Sequence, residues 1–316
     1  MRTIEILTQL LEIFAAVAVA PLFVGWINQC RAWLQNRSAP SLWLPYRGIR
    51  KLFAKDAVIA DHASPLFRVA PYIVFGTMVA AAAIIPSMGT RLPFTLAADA
   101  IALVGLLATA RVFMSLAAMD VGTAFGTLGA RREMMVGFLA EPALLMIIFV
   151  ASMLSASTAL PDIAERLATQ SLGLYPSLAF TAIAFTMVLL AENARIPIDN
   201  PATHLELTMI HEAMLLEYSA RHLALMEWAA SLKLFNYACI GFALFIPWGV
   251  STGRGGPLSL LASIPLLGLK LAAAGVVLAV IETVSAKLRV FRAPEFLATA
   301  FLLAVLGLLV HLLLGA

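Results

Sequence analysis

The sequence predicts an all-α integral membrane protein that crosses the bilayer about eight times. Its 316 residues are 62% hydrophobic and only 12% charged, with a mean hydropathy of +0.94, whereas soluble domains carry about 25% charged residues. The apolar stretches are about twenty residues long, which is enough to cross a hydrocarbon core of about 30 Å as helices. They lack the alternation of apolar and polar residues that a membrane β-barrel requires.

The predicted spans form one polytopic domain without an evident internal repeat. They cover about residues 6–28, 68–87, 98–118, 135–157, 174–192, 223–248, 258–282 and 296–314. The first span contains Glu5 and Glu12 and lacks the basic start and cleavage site of a signal peptide, so we expect it to be retained.

Basic residues are concentrated in the connections after spans one, three, five and seven. These connections hold fourteen of the 21 basic residues: Arg31, Arg37, Arg47, Arg50, Lys51, Lys55, Arg68, Arg131, Arg132, Arg195, Arg221, Lys287, Arg289 and Arg292. The opposite side holds only Arg2, Arg91, Arg166 and Arg254. Because cytoplasmic loops are enriched in Lys and Arg, the odd-numbered loops are predicted to be cytoplasmic and both termini external.

The first cytoplasmic loop predicts an amphipathic helix at the membrane surface. Within residues 41–56, apolar and basic side chains alternate with helical spacing: Leu44, Ile49, Leu52 and Phe53 against Arg47, Arg50, Lys51 and Lys55. This distribution is typical of a helix that lies in the interface.

The fifth loop and its flanks, from Glu192 to Glu227, contain six of the 18 acidic residues. Ionisable groups at a membrane boundary are costly and are usually tied to function. Pro197 and Pro201 are predicted to end the preceding helix, and a new helix is expected to start around Thr203. This helix would carry His204 and Glu206 in its first turn and a favourable i,i+4 pair between Glu217 and Arg221.

Metal binding by this chain is not expected. Cys30 and Cys239 form no C-x-x-C pair, and iron–sulfur or structural zinc sites need several ligands at fixed spacing. His211-Glu212 begins a zinc-protease pattern, but Leu215 occupies the position of the second histidine.

Several charged residues fall inside the predicted spans: Arg111, Glu141, Glu227, Lys233, Lys270 and Glu282. Glu12 and Glu282 can be interpreted as helix-end residues that snorkel to the interface. Lys233 and Lys270 lie deeper, where a lysine must be paired or neutralised, and such residues suit proton relay. The sequence therefore predicts a hydrated polar track across spans six and seven.

Four stretches resemble a known family: residues 34–53, 118–142, 191–234 and the region from Lys270 to Lys287. The chain is similar to the membrane subunit 1 family of proton-pumping NADH:quinone oxidoreductase. It resembles more closely the hydrogenase-4 component C and formate hydrogenlyase subunit 4 type of membrane protein in group 4 [NiFe] hydrogenases. The most specific signature is AENARIPID followed by LEYS within residues 191–219.

The resemblance, together with the charged positions inside the spans and in the cytoplasmic loops, predicts roles for two sets of residues. The acidic loop would face a peripheral electron-transfer arm and feed a chain of ionisable groups into the membrane. The proton pathway or coupling residues would be Glu141, Glu192, Asp199, Glu206, Glu212, Glu217, Glu227, Lys233, Lys270 and Glu282. The docking residues in cytoplasmic loops would be Arg37, Arg47, Arg50, Asp120, Arg131, Glu133, Arg195, His204, His211, Tyr218 and Arg221.

Two departures from the respiratory pattern bear on quinone binding. Ile27-Asn28-Gln29 stands where respiratory relatives usually have an E-R-K triplet, and the loop HLELTMIHEAMLLEYS has fewer acids than theirs. Both favour the hydrogenase branch over a quinone chamber. The implied partners are hydrogenase-type large and small subunits, which would hold the [NiFe] centre and Fe–S clusters, and antiporter-like membrane subunits. No cofactor in this chain and no nucleic-acid partner are expected.

The sequence thus predicts a membrane anchor that moves protons or Na⁺ in a complex of the bacterial inner membrane and has no catalysis of its own. Three alternatives stay open. They are a quinone-chamber subunit of an NADH:quinone oxidoreductase, a stand-alone secondary transporter, and a scaffold whose charges are vestigial.

Overall fold

The computed structural model describes residues 2–96, 99–169, 176–199, 209–251, 256–288 and 292–314. Within these ranges the chain is almost entirely helical. The helices are α1 (Arg2–Leu34), α2 (Leu44–Phe53), α3 (Pro65–Ile84), α4 (Ala100–Asp120), α5 (Ala124–Ser155), α6 (Leu160–Thr169), α7 (Pro176–Glu192), α8 (His211–Leu215), α9 (Ala220–Phe245), α10 (Gly256–Val284) and α11 (Ala293–Leu314). The described residues contain no strand, only an isolated bridge between Gly89 and Ser251.

The predicted all-α membrane fold is confirmed. In the described part of the chain, seven helices are long and apolar enough to cross a membrane: α1, α3, α4, α5, α9, α10 and α11. The remaining predicted span corresponds to α7, an apolar helix of 17 residues. Its predicted start at 174 falls outside the described residues.

The fourth span begins eleven residues earlier than predicted, at Ala124 rather than 135. Gly122 takes a positive φ of 73°, which turns the chain tightly after α4. The Thr123 hydroxyl then accepts a hydrogen bond from the Gly126 amide and caps α5. Arg131 and Glu133 therefore lie on a helix, and their predicted placement in a loop is wrong.

Helix α9 lies at the centre of the bundle. It packs against α1, α2 and α3 on one side and against α6 and α7 on the other. Helix α4 lies between α3 and α5, α11 covers α5 and α7, and α10 packs mainly on α1. Charged side chains on α9 that point inward are therefore surrounded by protein rather than by lipid.

Alternate connections meet at the same end of the bundle. At one end, the Thr90 amide donates to the Ser251 carbonyl (3.1 Å), and the Ser251 amide donates to the Met88 carbonyl (2.8 Å). The Ala100 amide donates to the Thr158 carbonyl (3.1 Å) at this same end. The connections predicted to be cytoplasmic lie at the opposite end, which we call the loop-five end.

The predicted amphipathic helix is present as α2. Its Ile49 is buried, whereas Arg47 and Arg50 are exposed. The Tyr46 hydroxyl donates to the Ala18 carbonyl on α1, and the Phe53 ring meets Trp228 on α9 at 6.4 Å between centroids. These contacts hold the helix against the bundle with its basic side outward.

The described part of the fifth loop, residues 209–219, is less helical than predicted. Helix α8 ends at Leu215, and α9 begins at Ala220, which has a positive φ of 48° after the extended residue Ser219. Glu217 and Arg221 are therefore not on one helix, and their predicted i,i+4 pair is wrong. The predicted helix start around Thr203, with His204 and Glu206, lies outside the described residues.

Candidate functional site

A buried arginine organises the largest ionic cluster in the described part of the chain. Arg111 lies in the second half of α4, and its side chain is only 4% exposed. It faces Gly137 on α5, where an added Cβ would lie 2.6 Å from the Arg111 Cδ atom. The glycine at this position therefore gives the guanidinium group the space that it occupies between the two helices.

Three carboxylates surround the Arg111 guanidinium group. Its Nη1 donates to Glu141 and its Nη2 donates to Glu192. Its Nε lies 3.4 Å from a Glu133 oxygen. Glu133 and Glu141 come from α5, and Glu192 is the last residue of α7, so one arginine joins three helices by charge.

Two further side chains extend this cluster. The Lys233 ammonium on α9 lies 2.9 Å from Glu192 Oε2, and His211 Nδ1 at the start of α8 lies 3.6 Å from Glu133 Oε2. We call these six residues the Arg111 cluster: Arg111, Glu133, Glu141, Glu192, His211 and Lys233. When the three carboxylates, Arg111 and Lys233 are charged and His211 is neutral, the net charge of the cluster is −1.

A small cavity adjoins the Arg111 cluster. Its volume is about 30 Å³, and Arg111, His211 and Lys233 line it together with apolar residues such as Met78 and Met226. A cavity needs about 10–15 Å³ to hold a water molecule, whereas cofactor and drug-sized ligand pockets measure about 300–1,000 Å³. The cavity therefore suits water rather than a large ligand.

A second ionic group lies at the loop-five end. Glu282 near the end of α10 is paired with Arg195 (3.0 Å) and Arg31 (3.5 Å), and its carboxylate is only 1% exposed. Asp199 lies 3.5 Å from Lys287. These pairs join α1, α10 and the segment after α7. The interpretation of Glu282 as a snorkelling residue is therefore wrong, because three segments of protein bury it.

Asp199 also orders the start of the short helix α8. Its Oδ2 accepts hydrogen bonds from the backbone amides of Ile210 (3.1 Å) and His211 (3.3 Å). The histidine that contacts Glu133 is thereby fixed by the same carboxylate that pairs with Lys287. The two ionic groups are thus connected through residues 199 and 211.

The predicted track across spans six and seven is not formed. Lys233 points to Glu192 on α7, whereas Lys270 donates to the Ile246 carbonyl (2.6 Å) near the opposite end of the bundle. Helices α9 and α10 make little mutual contact, so their two lysines have different surroundings. Glu227 is exposed on α9, apart from the Arg111 cluster.

Of the eleven residues predicted for docking, Glu133, His211 and Arg195 lie in the two ionic groups, and His204 lies outside the described residues. The other seven fall into two groups. Arg37, Arg47, Arg50, Arg131 and Arg221 are exposed and form the basic part of the loop-five end. Asp120 and Tyr218 are instead tied into the fold by hydrogen bonds to the start of α3. Glu212 and Glu217, which the sequence predicts for the proton pathway rather than for docking, are partly exposed.

Asp120 and Tyr218 position the start of α3. The Asp120 carboxylate accepts from the Ser64 amide (2.8 Å). The Tyr218 hydroxyl donates to the Phe67 carbonyl (3.0 Å), and the two rings stack at 4.0 Å. Burial raises the pKa of Tyr218 well above its ordinary value, and the Asp120 charge raises it further, so this phenol remains a hydrogen-bond donor.

Sequence reasoning singled out the acids of this site but missed the centre that joins them. The sequence shows Arg111 as a charged residue inside a predicted span. Since such a charge needs a partner of opposite charge, its position alone indicates that acidic residues lie near it. Its contacts with Glu133, Glu141 and Glu192 depend on how α4, α5 and α7 pack. Within the described residues, no three His, Cys, Asp or Glu side chains are grouped to hold a metal ion.

Two proteins of Escherichia coli are similar to this chain over most of its length. Formate hydrogenlyase subunit 4 of Escherichia coli (strain K12) is 33% identical over 302 residues, covering 94% of this chain and 95% of that protein. Hydrogenase-4 component C of the same organism is 35% identical over 232 residues, covering 73% and 72%.

The fold is shared with a solved structure of the membrane-bound sulfane sulfur reductase (MBS), an archaeal respiratory membrane complex. The TM-score is 0.82 at 20% identity, with 96% of this chain and 98% of that chain covered. Residues 7–313 match the NADH dehydrogenase family. The chain is therefore a multi-pass membrane protein that belongs to the NADH dehydrogenase family, as the motifs in its sequence predict.

Proposed function

We propose that this chain is the membrane subunit that anchors the cytoplasmic electron-transfer arm of a hydrogenase-type, complex I-like respiratory complex and relays protons. The Arg111 cluster carries this proposal. A buried ionic network is expensive to maintain, and this one couples four membrane helices to a loop through His211. A proton relay gives such a network a function that a passive anchor would not need.

The charge of the Arg111 cluster suits proton uptake. With His211 neutral, its net charge is −1, so one added proton makes it neutral. The cavity beside Arg111 and Lys233 can hold water, which carries protons over short distances between side chains. His211 lies at the loop-five end of the cluster, where a proton from the cytoplasmic side would arrive first.

The exposed basic residues support the docking role. Arg47 and Arg50 on α2, together with Arg131 and Arg221, surround the loop-five end with positive charge. Such a surface attracts an acidic partner and sets its orientation. In this proposal the partners are hydrogenase-type large and small subunits, which hold the [NiFe] centre and Fe–S clusters, and antiporter-like membrane subunits extend the membrane arm.

Two similarities support the hydrogenase branch and a bacterial inner-membrane location. The two relatives from Escherichia coli are named for hydrogenase-4 and formate hydrogenlyase, and each aligns with most of this chain.

The cavity at the Arg111 cluster is about a tenth of the smallest typical cofactor pocket. This size favours a relay of protons through water over a quinone chamber at that position.

The direct test is proton movement by the assembled complex in sealed membrane vesicles. Glu192→Gln removes the charge that pairs with both Arg111 and Lys233, and we expect proton ejection per electron transferred to be lost. Glu295→Gln is the matched control, because Glu295 is exposed in the first turn of α11.

Normal proton ejection by the Glu192→Gln complex would overturn the proton relay and would favour the alternative that the chain is a scaffold. If the unaltered complex takes up sodium without moving protons, the transported ion is Na⁺ rather than H⁺. Ion transport by this single chain in liposomes would instead support a stand-alone transporter. Copurification of nickel and iron with a tagged chain tests the hydrogenase-type partners.

A further inference from the structure

We propose that Glu12 is a second proton-exchange group, placed at the end of the subunit opposite to loop five, through which protons leave. The inference rests on the proposed function, since it adds an exit to the relay that begins at the Arg111 cluster. The interpretation of Glu12 as a snorkelling residue is wrong, because the residue is only 1% exposed and is enclosed by protein.

The two oxygens of the Glu12 carboxyl group have different surroundings. Oε1 accepts hydrogen bonds from the backbone amides of Met88 (3.0 Å) and Gly89 (2.6 Å). Oε2 is fully buried and makes no hydrogen bond of normal geometry among the described residues, although the amide and the hydroxyl of Ser87 lie close enough to interact with the carboxyl group. One oxygen is therefore fixed, and the other is the atom that can gain or lose a proton.

A buried carboxylate oxygen without a partner is costly, and protonation removes much of this cost. The amide bonds to Oε1 favour the charged form of the same group. These opposing effects act on one carboxyl group, so small changes around it can move its proton. This balance is what a group that exchanges protons requires.

The groups around the Glu12 carboxylate include few positive charges. Cys239 on α9 is near enough to interact with it, and Cys239 in turn interacts with Lys270 on α10. Glu165 on α6 is held by the Thr90 hydroxyl at 3.1 Å in the adjoining connection. Glu5, about two helical turns before Glu12, lies 4.0 Å from Arg91. In the described residues, no cation forms a salt bridge with the Glu12 carboxylate.

Polar side chains on α9 lead from the Arg111 cluster toward Glu12. Lys233, Asn236 and Tyr237 are spaced i, i+3 and i+4, so they share one face of the helix, and all three are buried. Asn236 donates to the Met78 carbonyl (2.9 Å), while its own carbonyl oxygen has no partner among the described residues. Cys239, the neighbour of Glu12, lies about 9 Å along the axis from Lys233.

The step itself is a proton transfer. A proton that reaches Glu12 Oε2 converts the carboxylate into a neutral acid, and the hydrogen bonds to Oε1 remain. Loss of that proton to solvent at the connection after α3, within residues 85–96, restores the carboxylate. Water carries the proton in both directions, so no electron transfer or covalent change is involved.

The experiment uses the assembled complex in sealed vesicles and compares Glu12→Gln with Glu5→Gln. A glutamine side chain at position 12 keeps a carbonyl oxygen that can accept from the Met88 and Gly89 amides, so the fold is kept while the titrating group is lost. We expect Glu12→Gln to lose proton ejection per electron and Glu5→Gln to retain it. The ratio is independent of how much complex assembles.

Glu12→Asp and infrared spectroscopy separate the exchange role from a structural one. The aspartate keeps a titratable carboxyl group one methylene shorter, so we expect it to recover part of the ejection lost with glutamine. Turnover of the unaltered complex should produce a carboxylic-acid C=O band that shifts in D₂O and is absent from Glu12→Gln.

Three outcomes decide the matter. Normal ejection by Glu12→Gln, or equal loss with glutamine and aspartate, overturns the role of Glu12. Loss in Glu192→Gln together with normal ejection in Glu12→Gln overturns only this inference and keeps the proposed function. Normal ejection in Glu192→Gln overturns the proposed function itself.

Discussion

The Lys233 ammonium lies 2.9 Å from one oxygen of Glu192, and the other oxygen of that carboxylate accepts from Arg111. A single acid at the end of α7 thus forms ion pairs with one cation on α4 and one on α9. All three side chains are at most 10% exposed. Because each charge depends on the others, substitutions here should be strongly non-additive.

The first prediction concerns this dependence. Glu192→Gln removes the salt-bridge partner of the buried Lys233, and breaking a buried pair in this way costs about 3–5 kcal/mol. Adding Lys233→Met removes this cation and fills its space with apolar atoms. We expect the double variant to be more stable than Glu192→Gln alone, with a coupling of about 2 kcal/mol. The coupling is measured by thermal unfolding, in detergent, of the unaltered protein, the two single variants Glu192→Gln and Lys233→Met, and the double variant. Additive effects of the two substitutions would contradict the prediction.

The second prediction uses the glycine that faces Arg111. A Cβ at position 137 would lie 2.6 Å from the Arg111 Cδ atom, so Gly137→Ala should displace the guanidinium group and destabilise the protein by about 1–3 kcal/mol. Proton ejection should fall as well, because the three carboxylates lose their common partner.

Gly105→Ala on α4 is the control for this prediction. An added Cβ there meets nothing within 4 Å, and alanine is the better helix former by about 0.8–1.0 kcal/mol. We expect this variant to be as stable as the unaltered protein or slightly more stable, with normal proton ejection. Equal effects of the two substitutions would show that close packing at Arg111 is unimportant.

The spans and the acids could be predicted from the sequence because both depend on local composition. Runs of about twenty apolar residues have few alternatives to membrane helices, and all eight predicted spans correspond to helices. The basic and apolar alternation around Arg47 and Ile49 likewise depends only on spacing within one helix. These features need no knowledge of how helices pack.

The pairings could not be predicted, because they depend on which faces of different helices meet. Arg111 and Glu192 are 81 residues apart in the chain, and the spacing of neither indicates the other. Lys233 and Lys270 both lie in apolar stretches of the sequence. In the structure, however, Lys233 faces Glu192 on α7, whereas Lys270 faces the end of α9. The early start of α5 was missed because Arg131, Arg132 and Glu133 have the composition of a loop, although Thr123 caps the helix before them.

The third prediction concerns the Glu282 group. Glu282→Gln leaves Arg195 and Arg31 without the carboxylate that joins α1, α10 and the segment after α7. Since these arginines are partly exposed, the cost should be smaller than at Glu192, about 1–2 kcal/mol. We expect faster proteolysis of the fifth loop in native membranes, measured by limited digestion. Glu295→Gln should leave the rate unchanged, and equal rates in both variants would contradict the prediction.

The fourth prediction concerns the hydroxyl of Tyr218. Tyr218→Phe preserves the stacked ring over Phe67 but removes the donor to the Phe67 carbonyl. A buried carbonyl left without its partner costs about 1–3 kcal/mol, so the thermal midpoint in detergent should fall. Because burial and Asp120 hold the Tyr218 pKa above its ordinary value, the loss should be the same at neutral and mildly alkaline pH.

Tyr72→Phe provides the comparison, since Tyr72 is half exposed on α3 and meets His222 only by an edge contact of 6.0 Å between ring centroids. We expect no measurable change in its thermal midpoint, because its hydroxyl can be solvated without the protein. If both phenylalanine variants unfold at the temperature of the unaltered protein, the hydrogen bond from Tyr218 contributes nothing to the attachment of the fifth loop to α3. A lower midpoint for Tyr218→Phe alone assigns that contribution to the hydroxyl rather than to the ring.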